Sequence, residues 1–280
     1  MKHGSVDIGA SSSIEEKLQI LRSIIRNYGS MLVAFSGGVD SSFLLAVAKE
    51  VLQEKVSALM TVSSSTPPED HKQATTLAQE LGVKLLLIAH DELAIPQYAA
   101  NPINRCYFCK HSLYEICLRE AERLSISTIA DGVNLDDLQD YRPGIQAAQE
   151  YKIVHPLVEA GFTKAEIRQA SRLLVLSTWE KPASPCLSSR VPYGTPITAT
   201  MLSQIARAEA LIRSFGFRDL RVRHHATSAR IEVAVGDLQK LSSPSVISSF
   251  REGLKQEGFT TVLLDLEGYR SGVFNEGIRK

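Results

Sequence analysis

Three groups of residues in this 280-residue chain have types and spacings that can do chemistry. The first is Ser36-Gly37-Gly38-Val39-Asp40-Ser41-Ser42, which directly follows a short apolar run, 31–35, and leads into a helical stretch, 42–52. Its two glycines let the backbone turn tightly and approach an anion closely. The loop N–H groups and the following helix N-terminus can then cradle phosphate. Ser36, Ser41 and Ser42 add hydroxyl donors, and Asp40 offers an oxygen to a magnesium ion. No Gly-Lys-Ser/Thr follows, so this is not the Walker loop. The plainer possibility is a tight strand-to-helix turn, but the carboxyl edge of a parallel sheet is where ligands bind in such folds.

The second group is Cys106-Tyr107-Phe108-Cys109 at the start of a helix, followed by Lys110, with Cys186 far along the chain. Three thiols suit an iron–sulfur cluster with one iron free of protein ligation, although four are more usual. A zinc site would want a fourth ligand, which His111 could supply. The pair could also be two half-buried thiols without a role. Cys117, flanked by Ile116 and Leu118, reads as core. The third group is cationic. Arg221 and Arg223 sit two apart on an expected strand and so share a face, which suits bidentate contacts to phosphate or carboxylate. A solvated strand face is the alternative. Arg190, Arg270 and Ser271 are further substrate-binding candidates, whereas Tyr193 and Trp179 read more readily as packing than as stacking residues.

These groups need elements to hold them. Apolar spacing predicts a helix over 14–28 with Ser13 as N-cap, behind a polar, flexible lead-in, 1–13. Strands are expected at 31–35, 56–62, 83–88, 128–130 and 151–155. Helices are expected at 42–52, 67–81, 109–124 and 163–174, the last opened by a Thr163/Glu166 capping box. Alternating strands and helices imply an α/β fold, a parallel sheet with helices on both faces. That domain spans 14–180. The Pro- and Ser-rich stretch 181–196, with Cys186, reads as a functional junction. Beyond it, 197–280 reads as a smaller α+β domain with helices at 198–215 and about 245–256 and strands at 220–224, 230–235 and 260–266.

Composition narrows the function classes. Hydrophobic residues make up 44% and charged residues 22%, ordinary for a globular protein with a sizeable core. Lys plus Arg and Asp plus Glu both number 31, which argues against a surface that tracks nucleic acid. No apolar run is long enough to span a membrane, and no secretory leader is evident. The expected location is cytoplasmic, where four cysteines point to metal, catalysis or core rather than disulfides.

Ser-Gly-Gly-x-Asp-Ser-Ser resembles the signature of the PP-loop ATP pyrophosphatases, which include NAD and GMP synthetases and tRNA-thiolating enzymes. The resemblance implies cleavage of ATP between its α- and β-phosphates, leaving an adenylated substrate and pyrophosphate. Asp131-Gly132-Val133-Asn134 looks like the family's second nucleotide motif. His155-Pro156-Leu157 with Lys164 and Glu166-Ile167-Arg168 looks like its third, placing Lys164 near the phosphates; a solvated helix-start lysine is the alternative. Pro185-Cys186-Leu187-Ser188-Ser189-Arg190-Val191-Pro192-Tyr193-Gly194 is similar to the LarE sulfur transferases, which build the nickel-pincer nucleotide of lactate racemase. Asp140-Tyr141-Arg142-Pro143-Gly144, Arg221-Val222-Arg223, Ala229-Arg230-Ile231-Glu232 and 264–272 extend that resemblance over nearly the whole chain.

The LarE resemblance implies a small-molecule substrate, pyridinium-3,5-biscarboxylic acid mononucleotide. Its two carboxylates are adenylated by ATP and converted to thiocarboxylates, with Cys186 and Asp40 in catalytic roles. It further implies a sulfur donor and a homo-oligomer. Members with one cysteine at the position of Cys186 give up its sulfur and end with dehydroalanine. Cys106 and Cys109 depart from that pattern and resemble the three-cysteine branch, in which Cys106, Cys109 and Cys186 hold a [4Fe-4S] cluster that carries the transferred sulfide. Three alternatives differ in what they require: a tRNA thiolase expects a basic surface, an amidating synthetase needs no cysteine set, and a nucleotide sensor would not need the intact loop.

Overall fold

The computed structural model describes residues 8–241 and 243–270. In chain order its elements are α1 (Ile8–Tyr28), β1 (Met31–Ala34), α2 (Val39–Leu52), β2 (Val56–Val62), α3 (Pro68–Glu80), β3 (Lys84–Ala89), α4 (Pro96–Ala99), α5 (Arg105–Arg123) and β4 (Thr128–Ala130). They continue with α6 (Pro143–Glu150), α7 (Pro156–Glu159), α8 (Lys164–Leu173), α9 (Ala199–Ser214), β5 (Leu220–His225), β6 (Ser228–Val233), α10 (Leu238–Leu241), α11 (Pro244–Gln256) and β7 (Thr261–Leu264). The described chain divides into two compact units. The first comprises 8–62, 68–90 and 106–183; the second comprises 63–67, 91–105 and 184–270.

The first unit is built on a four-stranded sheet, order β3-β2-β1-β4, in which every pairing is parallel. A central parallel strand is covered on both faces, so β1 reads Met-Leu-Val-Ala and all four residues are buried. Strand alternation divides them. Met31 and Val33 pack with Phe43, Leu44 and Val47 of α2 and Ile167 of α8. Leu32 and Ala34 pack with Tyr114, Cys117 and Ala121 of α5 and Ala147 and Ala148 of α6. The fold is therefore the expected α/β class. After β1 the chain adds β2 and β3 on one side, then returns to place β4 on the other. The carboxyl ends of β1 and β4 thus flank a topological switch point, where open parallel sheets bind ligands.

Two local expectations change. Helix α1 already runs from Ile8 through Ser13, so the helix does not start at Ser13; its buried stripe Ile14, Leu18, Leu21 and Ile25 anchors it and leaves the upstream turn to continue. The strand expected at 151–155 reduces to a single bridge between Ala130 and Val154. Pro156 opens α7 immediately after it, which cuts the pairing short. The Thr163/Glu166 capping box of α8 forms as expected.

The second unit holds a three-stranded sheet, with β5 and β6 antiparallel and β6 and β7 parallel. Its core joins Ala208 and Ile212 of α9, Leu220 and Val222 of β5, Ile231 and Val233 of β6, and Phe250 and Leu254 of α11. The segment around Cys186 is tied down inside this unit. Asn101 is fully buried with φ 56°, and its Nδ2 donates to the carbonyls of Pro192 at 2.8 Å and Thr195 at 2.9 Å. Tyr98 shares a 2.6 Å hydrogen bond with Ser188, and the Leu187 N–H donates to the Ser65 carbonyl at 2.7 Å.

Helix α8 ends at a strained residue. Val175 has φ 55°, a left-handed conformation that costs a non-glycine residue about 1–2 kcal/mol, and its side chain is 87% exposed. Its N–H donates to Arg172 and that of Leu176 to Ser171, the closing pattern that glycine usually completes. Val175→Gly should raise stability by about 1 kcal/mol, because glycine relieves the strain and gives back part of the gain in unfolded-chain entropy. Denaturant unfolding of the full chain checks this: the midpoint should rise at unchanged slope. A lowered midpoint would refute the strain.

Candidate active site

Beyond β1, the Phe35 N–H donates to the Leu59 carbonyl at 2.8 Å and the chain turns at Gly37, φ 67°. Two constraints require glycine there. The backbone is left-handed, and a Cβ would lie 2.8 Å from the Ala74 Cβ. Serines brace the turn: Ser36 Oγ and Ser41 Oγ lie 3.1 Å apart, Ser36 Oγ accepts from the Gly38 N–H at 3.3 Å, and Ser41 Oγ donates to the Gly38 carbonyl at 3.3 Å. Helix α2 opens with Gly38 as N-cap, and no side chain caps it. Ser42 Oγ at the same helix start is buried without a hydrogen-bond partner. An uncapped helix N-terminus beside an orphaned hydroxyl fits a phosphate-bearing ligand.

The loop after β4 closes on this turn. A Cβ on Gly132 would lie 2.7 Å from the Ser41 nitrogen, so glycine lets the two loops touch. Buried Asp131 accepts from the Tyr114 hydroxyl at 2.7 Å and from the Val133 N–H at 3.1 Å, and pairs with His155 Nδ1 at 2.7 Å. Burial opposes its charge, but His155, Lys110 and the Tyr114 hydroxyl outweigh it and hold the carboxyl below its usual range. Burial likewise works to lower the His155 pKa, and the Asp131 carboxylate overrides it and raises it. Asp40, in the first turn of α2, accepts from Asn134 Nδ2 at 3.4 Å and forms an ion pair with Lys164. Lys164 heads α8, so that helix start delivers an ammonium group to the loop. Asp40 offers a carboxylate oxygen, the hard donor type that suits a magnesium ion. The structure thus brings Ser36, Gly37, Gly38, Asp40, Ser41, Ser42, Asp131, Gly132 and Lys164 together at the switch point.

Lys181 was not singled out as a ligand from the sequence. Its ammonium donates to the Gly37 carbonyl at 3.0 Å and pairs with Asp70 at 2.8 Å. Arg168 fixes the backbone beside it by donating to the carbonyls of Trp179 at 2.6 Å and Lys181 at 2.8 Å. No local pattern marks these contacts, because Lys181 and Gly37 lie 144 residues apart.

The thiols divide by environment. Cys106 is exposed and Cys109 half-buried, both near the start of α5, where residues three apart share a face. Cys117 is fully buried, and burial pushes its thiol up to about 12, with Lys110 opposing and Asp131 reinforcing the shift. That environment disfavours the thiolate, the form that attacks or ligates. His111 turns its ring to the Tyr151 hydroxyl, 3.0 Å away. Among the described residues no three His, Cys, Asp or Glu side chains converge as a metal site.

In the second unit, half-buried Cys186 caps a short 3-10 turn, Leu187–Arg190. Arg190 holds that turn from within. It is fully buried, donates to the carbonyls of Pro185 at 2.6 Å and Cys186 at 3.1 Å, and forms a two-pronged pair with Glu209 at 2.8 and 3.0 Å. The expected substrate-binding role of Arg190 is thereby corrected: a guanidinium with no exposure, engaged on every edge, faces the fold. Arg221 and Arg223 do share a face of β5, but they are buried rather than solvated. Arg223 pairs with Glu232 at 2.8 Å and donates to the Ser189 carbonyl at 2.9 Å. Arg221 stacks on Tyr269 with its guanidinium 4.6 Å from the ring centre; burial lowers its pKa, as does the charge of Arg190. Arg270 pairs with Glu267, and Ser271 lies outside the described residues.

A family model described as NAD synthase matches residues 13–98, the stretch that contains the glycine turn. Pyridinium-3,5-bisthiocarboxylic acid mononucleotide synthase of Lactiplantibacillus plantarum is 33% identical over 273 residues, covering 96% of this chain and 97% of that protein. The chain belongs to the LarE family. It is an ATP-dependent enzyme with the PP-loop α/β fold. Two uncharacterized proteins are also similar: slr1717 of Synechocystis sp., 43% identical over 267 residues, 95% of this chain and all of that one, and MJ0830 of Methanocaldococcus jannaschii, 28% identical over 246 residues, 86% and 91% of the two chains.

In this LarE-family chain the His155–Asp131 pair gives the nucleotide site a pH signature. The folded pKa of His155 is raised above 6.5, so the pair's stabilisation is complete below the unfolded value and is lost as pH rises through the folded one. His155→Gln should therefore destabilise the protein more at mildly acidic pH than at alkaline pH. In NMR titration the His155 ring should show a midpoint above 6.5; a midpoint below it would overturn the assignment.

Proposed function

We propose that this chain catalyses ATP-dependent sulfur transfer to pyridinium-3,5-biscarboxylic acid mononucleotide. The observation that carries the reading is the similarity, over 96% of the chain, to a synthase named for the bisthiocarboxylate product. The chemistry divides into two steps. A carboxylate is a poor acyl donor because oxide would have to leave. Its oxygen attacks the α-phosphorus of ATP, pyrophosphate departs, and the acyl-adenylate now has AMP as a good leaving group. A sulfur nucleophile then adds to the acyl carbon, AMP is expelled, and a thiocarboxylate remains. Repetition on the second carboxylate completes the product.

The residues at the glycine turn suit the first step. The N-terminus of α2 and the Ser36, Ser41 and Ser42 hydroxyls hold phosphate oxygens, and Lys164 neutralises charge as pyrophosphate leaves. Magnesium on Asp40 would supply Lewis-acid withdrawal from the phosphates. Arg221 and Arg223 are the cations we assign to the substrate's phosphate, together with Arg270, which follows the Tyr269 that Arg221 stacks on.

Cys186 is the sulfur-handling residue in this reading. Its turn is fixed through Arg190 while its thiol is partly accessible. Cys106, Cys109 and Cys186 are chemically suited to hold a [4Fe-4S] cluster, since these three thiols are accessible and Cys117 is not. Bound there, such a cluster would leave one iron without a thiolate, able to carry sulfide.

Pyrophosphate release and thiocarboxylate formation, assayed separately without oxygen, test the proposal. Cys186→Ala should abolish thiocarboxylate while keeping pyrophosphate release, and thiocarboxylate persisting in that variant would remove Cys186 from the reaction. Cys117→Ala should keep both activities and cost about 1 kcal/mol of stability. Iron analysis separates the two sulfur sources. About four irons per chain, lost on replacing Cys106, Cys109 or Cys186, is the expected result. An iron-free protein making one thiocarboxylate per chain would return Cys186 to sacrificial transfer.

A further inference from the structure

The Gly37–Gly38 peptide is held from both ends. Its carbonyl accepts from the Lys181 ammonium at 3.0 Å, and its N–H donates to Ser36 Oγ at 3.3 Å. In a trans peptide the carbonyl and the N–H point in opposite directions. Fixing the carbonyl on Lys181 therefore keeps the Gly38 N–H on the opposite side of the peptide, aimed at Ser36 Oγ. The N–H bond there is long, so a phosphate oxygen can take the donor from Ser36 at little cost. Gly37 lacks the steric restraint that would otherwise fix this peptide, and glycine turns readily populate the flipped orientation. Ala74 bounds one side of the turn. Lys181 supplies the polar restraint.

Lys181 is itself held. Asp70, in the first turn of α3, pairs with its ammonium at 2.8 Å, and both side chains are largely buried. Arg168 binds the Lys181 carbonyl. Arg168 lies one helical turn beyond Lys164 on α8, and Lys164 reaches the same loop through Asp40. The loop is thus bounded by two lysines, each balanced by its own carboxylate and both tied to α8.

We propose that Lys181 is a positioning residue for the nucleotide loop: held by Asp70, it locks the Gly37–Gly38 peptide so that the Gly38 N–H faces the phosphates of ATP. The inference rests on the reading of this loop as the ATP site. It assigns Lys181 no contact with the substrate or with the reacting atoms. Its effect is confined to ligands that place a phosphate in the turn.

The test is direct binding of ATP and of adenosine to the full chain by calorimetry, with Lys181→Met, Lys181→Arg and Asp70→Asn beside the parent protein. Lys181→Met should weaken ATP binding about tenfold, the equivalent of about 1.4 kcal/mol, and leave adenosine affinity unchanged. Lys181→Arg keeps a donor for the Gly37 carbonyl and should restore most of the loss. Asp70→Asn should weaken ATP binding in the same direction, because the lysine loses its anchor. Equal ATP affinity in Lys181→Met would overturn the proposal. So would tighter ATP binding by Asp70→Asn, which is the signature of a lysine released to bind phosphate itself. Parallel loss of ATP and adenosine affinity would reduce Lys181 to general support of the fold, and also overturns it. If the parent protein binds no ATP, the reading of the loop fails before any variant is compared.

Discussion

The turn at Gly37 is the constraint on which the rest of the first unit depends. It must reverse the chain within a few residues, leave the start of α2 uncapped, and pass close to Ala74. Those demands fix its surroundings. β1 must be central and fully buried to hold the turn still, which is why its residues are apolar on both faces. β4 must lie beside β1 rather than beside β3, because only then does Gly132 come against Ser41. Helices on the two faces follow from covering that strand. A side chain at Gly37 or Gly132 would separate the pieces that the sheet order brings together.

Charge is arranged differently in the two units. Around the nucleotide loop, Lys164 pairs with Asp40 and Lys181 with Asp70. Neither ammonium is left uncompensated. In the second unit the ion pairs lie deeper. Arg190 with Glu209 and Arg223 with Glu232 have little or no exposure. Buried pairs of this kind contribute modestly to net stability, but losing one partner strands a charge. Their value is geometric: Arg190 and Arg223 accept no bend in the backbone carbonyls of Pro185, Cys186 and Ser189 that they grip.

Much of this was legible in the sequence where the signal is local. Ser36 to Ser42 sits in one turn, and its residue types alone mark a tight strand-to-helix turn, which forms at Gly37. The capping box at Thr163 is equally local and forms as read. Contacts between distant segments were not legible. Lys181 and Gly37 are 144 residues apart, and Asn101 reaches carbonyls more than 90 residues away. Arginine and lysine also read the same whether solvated or buried. Arg190 reads as one more cationic clamp for a phosphate-bearing substrate; its partner Glu209, on α9, turns it inward. Ser13 has the type of a helix cap, yet α1 runs on past it to Ile8, carried by the buried stripe that begins at Ile14.

The same reasoning separates the four cysteines by physics rather than by motif. A thiolate needs solvent or a cation to carry its charge. Cys117 has Lys110 near, but burial outweighs it and raises the thiol's pKa. Two residues of one type on the same helix thus diverge: Cys109 sits near its start, half-exposed, while Cys117 faces the sheet. Cys186 combines two properties that otherwise conflict. Its backbone is gripped by a buried guanidinium, and its side chain is left partly accessible. A reacting sulfur needs both, because an immobile thiol that nothing can reach is inert, and a reachable thiol on a loose loop is seldom in position.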